Sequence, residues 1–487
     1  AFFLLGSILL VGCKVGGDSI KNNEKNFPTE VTIKGDQFVD GQGRQVILNG
    51  INVVSKSKEE GYIFQSGPEL YENFKNWGVN CIRFYISWDG LEPEPGVYND
   101  KYLEEIDKKI AWAKANGIFV VLDMHQDLYG VKFSNGAPKW ATLDENKKHT
   151  TGAIWSDAYM MSEAVQTSFD NFWLNKPAPD GIGIQDHYVA LWKRVAKRYA
   201  HNTTVIGYDI MNEPFPGSSA LESTMILLTA YGELHHSLTG EVLSEMQLVE
   251  MWGDENKRMN ALKVISNKKN YHQVFSKLFD LNKKFETTHL QSMYQKVALA
   301  IREVDQKHIL FLEHSYYGNT GVESSIERVK LANGAPDPLV AYAPHGYDLV
   351  TDTDNVANAS SERVEYIYEQ IKKKSEQLKM PVWLGEWGAF YNNSETVIPI
   401  AKNCVGLIEK HLFGNAYWSY VKGTENLEYF KQVLVRSYPV YTNGKLISYN
   451  NNFESSSFVM EWEESKTNKS STIIYVPHLS KLKKDIF

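Results

Sequence analysis

Two glutamates, each at the end of an apolar run, could do chemistry together. Glu213 follows the run Val205–Met211 with Asn212 before it, and Glu386 follows the run Val382–Gly385. A carboxylate beside apolar neighbours is costly to bury, so it is usually paired or used in a reaction. Two carboxyl groups facing one cleft can break a glycosidic bond: one protonates the leaving oxygen and the other attacks the anomeric carbon. A retaining mechanism requires them about 5 Å apart.

We expect further polar and aromatic side chains at the ends of the predicted strands. They are Arg83, His125 with Asp127, His345 with Tyr347, and Trp418. We expect Arg83 and Tyr347 to contact Glu386 and keep it ionised, since a cation or a donor favours the charged form. Asn212 could bind a sugar 2-hydroxyl, and Trp418 offers a flat face to a pyranose ring. Taken singly, Arg83 fits a structural ion pair and Trp418 a core residue, so the prediction depends on the ordered set.

Eight apolar runs alternate with amphipathic stretches. The runs are Val46–Val53, Cys81–Trp88, Phe119–Met124, Val205–Met211, Ile309–Glu313, Val340–Pro344, Val382–Gly385 and Asn415–Tyr420. This alternation predicts an α/β fold, a parallel (β/α)8 TIM barrel whose reacting groups gather at the carboxyl ends of the strands. The alternative is a doubly wound open sheet, which the lack of a Gly-rich loop after the first run disfavours.

Two regions differ from the barrel pattern of residues 30–425. Beyond Leu434, short alternating pieces with Asn-Gly turns predict a small antiparallel, β-sandwich-like domain over residues 434–487. The long segment from Phe215 to Lys307 has helical spacing. It fits either an extra helical layer or an apolar wall above the site, and we favour a contribution to the wall because insertions after strands lie on the catalytic face.

The first 29 residues have a different composition. Residues 1–13 are apolar or small and fit the remnant of a signal peptide, and residues 14–29 are polar and predict a flexible tether. Leu10–Cys13 resembles the lipobox of bacterial lipoproteins, which implies a lipidated Cys13, contact with a membrane surface and a secreted or outer-surface location. An ordinary secretory signal that contains a cysteine is the alternative.

Composition excludes some classes of partner. The 487 residues carry a net charge of -8 with both signs interspersed, so we expect no nucleic-acid binding. The 12 Trp and 27 Tyr suit sugar faces and amphiphiles. Cys81 and Cys404 lie in apolar patterns and are expected in the core. The histidines show no zinc spacing, and two carboxylates need no metal or other cofactor.

The motifs around the two glutamates resemble those of the retaining glycoside hydrolases of family 5, in clan A. Ile210–Pro214 is similar to the fourth-strand motif of that family, which implies that Glu213 is the acid/base. Trp383–Gly388 is similar to the seventh-strand motif, which implies that Glu386 is the nucleophile. The resemblance covers roughly residues 30–425 and implies that the other strand-end residues named above line the site.

Within the family, several stretches resemble the endoglycoceramidase-like glycosphingolipid hydrolases. Asn49–Lys56 looks like their first-strand motif and makes Lys56 a sugar-binding candidate, and Met124–Asp127 gives Asp127 the same role. Asn171–Trp173 is also similar and places Trp173 at the sugar site. The resemblance implies hydrolysis of the bond between an oligosaccharide and ceramide.

Other functions stay open at this point. One alternative enzyme acts on glucosylceramide or a steryl β-glucoside, and another is a β-1,4-glucanase or mannanase. The alternative from another class is a non-catalytic lipoprotein that binds glycolipids. Retention of both Glu213 and Glu386 argues against that last interpretation.

Overall fold

The computed structural model describes residues 30–152, 154–351, 353, 355–391 and 395–477. The predicted signal segment 1–13 with its lipobox, and the predicted tether 14–29, lie outside the described residues. The last ten residues of the predicted C-terminal domain do so too. The domain boundaries inferred from the sequence remain predictions.

The described elements alternate as the sequence pattern predicts. The strands are β1 (Val31–Lys34), β2 (Gln37–Asp40), β3 (Gln45–Val46), β4 (Asn49–Val53), β5 (Cys81–Ser87), β6 (Phe119–His125), β7 (Val205–Asp209), β8 (Ile309–Leu312), β9 (Val340–Tyr342), β10 (Trp383–Gly388), β11 (Gly414–Trp418), β12 (Tyr438–Thr442), β13 (Gly444–Asn452), β14 (Ser457–Glu464) and β15 (Ile473–Tyr475). The α-helices are α1 (Glu69–Asn76), α2 (Trp88–Leu91), α3 (Asp100–Ala115), α4 (Asp157–Met161), α5 (Glu163–Trp173), α6 (Ile184–Tyr199), α7 (Ala220–Thr239), α8 (Glu245–Gly253), α9 (Glu255–Val264), α10 (Lys268–Phe275), α11 (Phe279–Phe285), α12 (Gln291–Arg302), α13 (Ser361–Leu378) and α14 (Ile398–His411).

Eight parallel strands form the barrel. Their order is β10-β11-β4-β5-β6-β7-β8-β9. Bridges between Tyr342 and Val382 and between His345 and Glu386 join the two ends of this order and close it. Strands β5, β6 and β7 are buried along their whole length, as expected when helices cover one face and the barrel interior the other. The predicted TIM barrel is confirmed, and the open sheet is wrong.

A second sheet closes the amino-terminal end of the barrel. Strands β1, β2 and β3 join β12 and β15 in the order β1-β2-β3-β12-β15. Phe38 of β2 stacks on Phe311 of β8, with ring centroids 6.2 Å apart. The C-terminal antiparallel sheet is therefore present as predicted, but it includes strands from the start of the described chain. Pairings more than 390 residues apart, such as Tyr441 with Val46, leave no local signal in a sequence.

The insertion between β7 and β8 consists of helices α7 to α11 and a π-helical turn at Glu286–Leu290. Helix α7 begins seven residues after Glu213, so the insertion leaves the barrel at the carboxyl ends of the strands. Asn355, in the loop after β9, donates a hydrogen bond of 3.0 Å to Glu255 at the start of α9. The helices therefore stand over the same end of the barrel as the two glutamates. Among the described residues, no helix has both the length and the apolar composition needed to span a membrane.

Candidate active site

The two glutamates meet at the carboxyl end of the barrel. One carboxylate oxygen of Glu213, one of Glu386 and one ring nitrogen of His345 all lie within 4.8 Å of one another. Both carboxyl groups are buried, with 8% and 4% of the residue exposed. The distance is close to the roughly 5 Å of retaining glycosidases and shorter than the span that an inverting enzyme leaves for a water molecule.

Local backbone structure brings these groups together. The backbones of His345 and Glu386 pair where β10 meets the segment after β9. The imidazole and the carboxylate therefore project from adjacent backbone segments at the same height in the barrel. Gly385 leaves room for the ring, because a Cβ there would lie 3.0 Å from His345 Nε2. Glu213 has a φ of 44°, in the left-handed region that non-glycine residues rarely adopt. Strain of this kind is often found at functional sites.

Arg83 is the central cation of the site, and it is the third residue of the seven-residue strand β5, not the strand-end residue that the sequence pattern predicted. Its side chain is fully buried on β5, and its Nη1 donates to Glu386 Oε1 at 2.6 Å. The remaining carboxylates around the guanidinium are Asp209 at 2.8 Å, Glu313 at 2.9 Å and Asp123 at 3.0 Å. Burial by itself lowers the pKa of Arg83, but these charges outweigh it and hold the pKa well above its ordinary value. Arg83 is therefore a permanent charge shared among several carboxylates.

Glu386 differs in one respect from the sequence-based expectation. Arg83 and Tyr347 both contact it, and Tyr347 Oη donates to Oε2 at 2.9 Å. Its pKa is nevertheless raised to about 6, because burial outweighs the lowering by His345 and Arg83 and the charge of Glu213 adds to the rise. Arg83 and Tyr347 therefore contact Glu386 as expected, but they do not hold its pKa below the ordinary value. The physical reason is the burial of the Glu386 carboxyl group, which the charge of Arg83, shared among four carboxylates, does not offset.

Glu213 is held by donors on one side. Asn319 Nδ2 donates to Glu213 Oε1 at 2.7 Å, and His345 Nδ1 lies 2.9 Å from the same oxygen. The backbone N–H of Glu213 donates to Glu313 Oε2 at 2.8 Å. Burial lowers the pKa of His345, but the charges of Glu313 and Glu386 and hydrogen bonds to carboxylates raise it well above the ordinary value. The imidazole is therefore cationic and can donate from Nδ1.

A second group of polar residues extends from the pair along the mouth of the barrel. Lys56 Nζ lies 2.5 Å from Asp127 Oδ2 and 4.9 Å from the centre of the Trp418 ring. His125 stacks on Trp418, with ring centroids 5.2 Å apart and planes at 10°. Burial lowers the pKa of His125, but Asp123 and Asp127 raise it to about 9. This arrangement of charged donors, acceptors and an aromatic face is suited to sugar hydroxyls.

Two further predicted sugar contacts occupy supporting positions. Asn212 accepts a hydrogen bond from Arg83 at 3.0 Å and donates one to the carbonyl of Gln126 at 3.0 Å, which leaves one amide proton for a hydroxyl. Trp173 donates its indole N–H to the carbonyl of Phe215 at 2.9 Å. It therefore supports the segment that follows Glu213, and its contact with sugar stays a prediction.

Sequence reasoning missed several groups at the site. They are Asn52, Asp123, Asp209, Glu313, His314 and Asn319. Glu313 ends an apolar run in the same way as Glu213 and Glu386, and that signal could have found it. Asp123 and Asp209 are acidic residues inside apolar strands, which indicates a buried cation nearby. Asn319 lies in a short 3-10 helix, Tyr316–Thr320, and carries no signal in a single sequence.

Glu213, His345 and Glu386 could also hold a metal ion by spacing. Their hydrogen bonds argue against it. Both ring nitrogens of His345 already face carboxylate oxygens, and the oxygens of Glu213 and Glu386 accept from Arg83, Tyr347 and Asn319. The set fits acid/base and nucleophilic chemistry by two carboxylates better than metal binding.

Comparison with known proteins agrees with this geometry. The model of the cellulase family (glycosyl hydrolase family 5) matches residues 39–423, and the family 5 C-terminal domain matches residues 436–485. The chain belongs to glycoside hydrolase family 5. The structure resembles endo-glycoceramidase II from Rhodococcus sp. in its complex with a five-membered iminocyclitol. The TM-score is 0.69 at 25% identity, over 91% of this chain and 90% of that one.

Curated relatives include enzymes that act on glycolipids. An endoglycoceramidase of Cyanea nozakii is 30% identical over 235 residues, which is 42% of this chain and 46% of the relative. A glucosylceramidase of Aspergillus fumigatus is 26% identical over 254 residues, which is 40% of this chain and 34% of the relative. The chain thus spans less than half the length of these two curated relatives.

Proposed function

We propose that this chain is a retaining β-glycosidase that hydrolyses the bond between oligosaccharide and ceramide in glycosphingolipids. The observation that carries the proposal is the approach of Glu213 and Glu386 to within 4.8 Å at the mouth of a family 5 barrel. The likeness to endoglycoceramidases supports the substrate class.

The two glutamates have different roles because their neighbours differ. Glu386 attacks the anomeric carbon and forms a covalent glycosyl-enzyme, while Glu213 gives its proton to the glycosidic oxygen and ceramide leaves. Water then loses a proton to Glu213 and attacks the anomeric carbon, which releases Glu386. Arg83 holds one oxygen of the nucleophile, and Tyr347 orients the other. No metal or organic cofactor is required for these steps.

Both halves of an amphiphilic substrate find suitable surroundings at the barrel mouth. Lys56, Asp127 and Trp418 offer polar contacts and a ring face to the glycan. Apolar side chains are exposed on segments that follow strand ends. They are Trp155, Met161, Leu221, Met246 and Trp252. We propose that these apolar side chains contact the ceramide part of the substrate.

The proposal extends to location. A lipobox at Leu10–Cys13 would place the enzyme on an outer surface with its lipidated Cys13 in the membrane, next to its substrate. Expression of the full chain in a lipoprotein-processing bacterium with labelled palmitate tests this. We expect label in the native protein and its loss in Cys13→Ser. A native protein that stays unlabelled supports an ordinary secretory signal.

The decisive test is identification of products by mass spectrometry. The protein is incubated with a panel of gangliosides, lactosylceramide and glucosylceramide, with Glu386→Gln as control. We expect intact oligosaccharides and free ceramide from the wild type and neither from the control. Release of glucose from glucosylceramide with no action on the longer glycans would favour the glucosylceramidase or steryl-glucosidase function, which the Aspergillus relative supports. Cleavage of cellulose or mannan in place of glycolipids would contradict the proposal.

A further inference from the structure

The oxygens of Glu213 have unequal surroundings. Asn319 and His345 both donate to Oε1. Donors on one carboxylate oxygen fix the plane of the group and direct the other oxygen to the reacting atoms. A general acid must present its proton within hydrogen-bond reach of the leaving oxygen, so the orientation of this plane matters for the rate.

We propose that Asn319 is a positioning residue for the acid/base Glu213, and that a hydrogen-bond relay through His314 from Tyr342 holds its amide in the working orientation. The inference rests on the proposed role of Glu213. Tyr342 Oη lies 2.8 Å from His314 Nδ1, and His314 Nε2 lies 3.0 Å from Asn319 Oδ1. All three residues are buried, with 5% or less of each exposed.

The direction of each hydrogen bond follows from charge. Burial, with the charge of His345 adding to it, lowers the pKa of His314 to about 3, so the ring is neutral and has one N–H. Asn319 Nδ2 donates to Glu213 Oε1, so Asn319 Oδ1 accepts from His314 Nε2–H; Nδ1 then carries no proton and accepts from Tyr342 Oη. The oxygen of the Asn319 amide therefore faces His314 and its nitrogen faces Glu213. Without the relay, a flipped amide would place an acceptor against the carboxylate.

The same loop holds both halves of the catalytic pair. The carbonyl of Asn319 accepts from the backbone N–H of Tyr347 at 3.1 Å, and Tyr347 donates to Glu386. Glu313, six residues before Asn319, accepts from the strained backbone of Glu213 at 2.8 Å. The loop after β8 thus sets the position of Glu213 through one side chain and one backbone contact. It reaches Glu386 through Tyr347.

Aryl β-glycosides with leaving groups of graded pKa test the proposal. Only poor leaving groups need the proton of the acid, so a positioning defect grows with leaving-group pKa. We expect Asn319→Ala to lower kcat/KM by about 10- to 100-fold on the poorest leaving group, within the range for a hydrogen bond to a charged group. On a dinitrophenyl glycoside we expect kcat/KM to fall by less than roughly threefold, because that leaving group needs no proton. If Asn319 had only a structural role, its replacement would lower kcat/KM by the same factor for every substrate in the series.

Two matched variants sharpen the result. Thr320→Ala removes a hydroxyl that binds the carbonyl of Tyr317 on the same loop, and we expect no dependence on the leaving group. The double variant Glu213→Ala with Asn319→Ala should be no slower on poor leaving groups than Glu213→Ala, since Asn319 acts through that carboxylate. Thermal unfolding identifies any variant that fails to fold, and in that case Asn319→Ser replaces Asn319→Ala. Equal losses across the series, or additive losses in the double variant, would overturn the proposal.

The design separates this inference from the proposed function. If the wild type cleaves aryl glycosides but not glycosphingolipids, the substrate class is wrong and the leaving-group slope still decides the role of Asn319. A wild type that cleaves neither overturns both. If the loss of kcat/KM in Glu213→Ala does not depend on the leaving group, Glu213 is not the acid/base, and the inference about Asn319 fails as well.

Discussion

Replacement of Tyr347 by Phe should move the acid limb of the pH profile upward. Tyr347 Oη donates to Glu386 Oε2 at 2.9 Å, and this bond favours the ionised carboxylate. A hydrogen bond to a charged group is worth about 1.5–3 kcal/mol. One pKa unit corresponds to about 1.36 kcal/mol, so removal of the donor raises the pKa by roughly one to two units.

The sign follows from the role of Glu386. The nucleophile must be ionised, so kcat/KM falls as the pH falls through its pKa, which lies at about 6 in the native protein. In Tyr347→Phe the same fall should occur at roughly pH 7–8, an upward move of one to two units. The measurement is kcat/KM against pH with a dinitrophenyl glycoside, whose departure needs little acid assistance. This choice isolates the nucleophile from the acid/base.

Tyr317→Phe is the matched control. Tyr317 is a buried tyrosine at the same end of the barrel, and its hydroxyl donates to Ser223 Oγ at 2.7 Å and not to a catalytic carboxylate. Its acid limb should stay at about pH 6, the pKa of Glu386. An acid limb in Tyr347→Phe that stays in place or moves downward would refute the assignment of this limb to Glu386.

Further outcomes follow from the site. Glu386→Gln should lower turnover by several orders of magnitude while glycolipid binding, measured by cosedimentation with vesicles, stays nearly native; unchanged turnover would remove its assignment as nucleophile. Glu213→Ala should lose about 10²–10⁴-fold on glycolipids but little on a dinitrophenyl glycoside in kcat/KM, and equal losses would count against the acid role. Prolonged dialysis against EDTA should leave activity unchanged, and loss restored by a divalent ion would show a metal. Gly318→Ala should destabilise by about 1–3 kcal/mol in chemical denaturation, because a Cβ there would lie 2.4 Å from the His314 ring; an unchanged midpoint would mean that the ring moves freely.

Much of the fold could be predicted because its strands and helices follow from patterns of apolar and polar residues within short segments. Apolar runs and amphipathic stretches indicated the barrel strands and helices. Helix α3 begins at an asparagine cap, Asn99, whose side chain accepts from Tyr102 N at 3.2 Å. The five-stranded sheet that combines β1–β3 with β12 and β15 was not predictable, since its pairings join opposite ends of the described chain.

The amino-acid sequence by itself determined which residue types stand at the ends of the barrel strands, because alternation of apolar runs with helices is a local property. It therefore indicated the two glutamates, His345 and the sugar-binding candidates, and it indicated Arg83 as a polar residue within an apolar run. Only the tertiary structure decided how charge is shared among them. Burial of Glu386, whose partner Arg83 is shared with three other carboxylates, raises its pKa to about 6, and the segment after β8 brings Asn319 to Glu213. Desolvation and contacts between distant loops depend on the whole packed molecule, and spacing along the chain does not encode them.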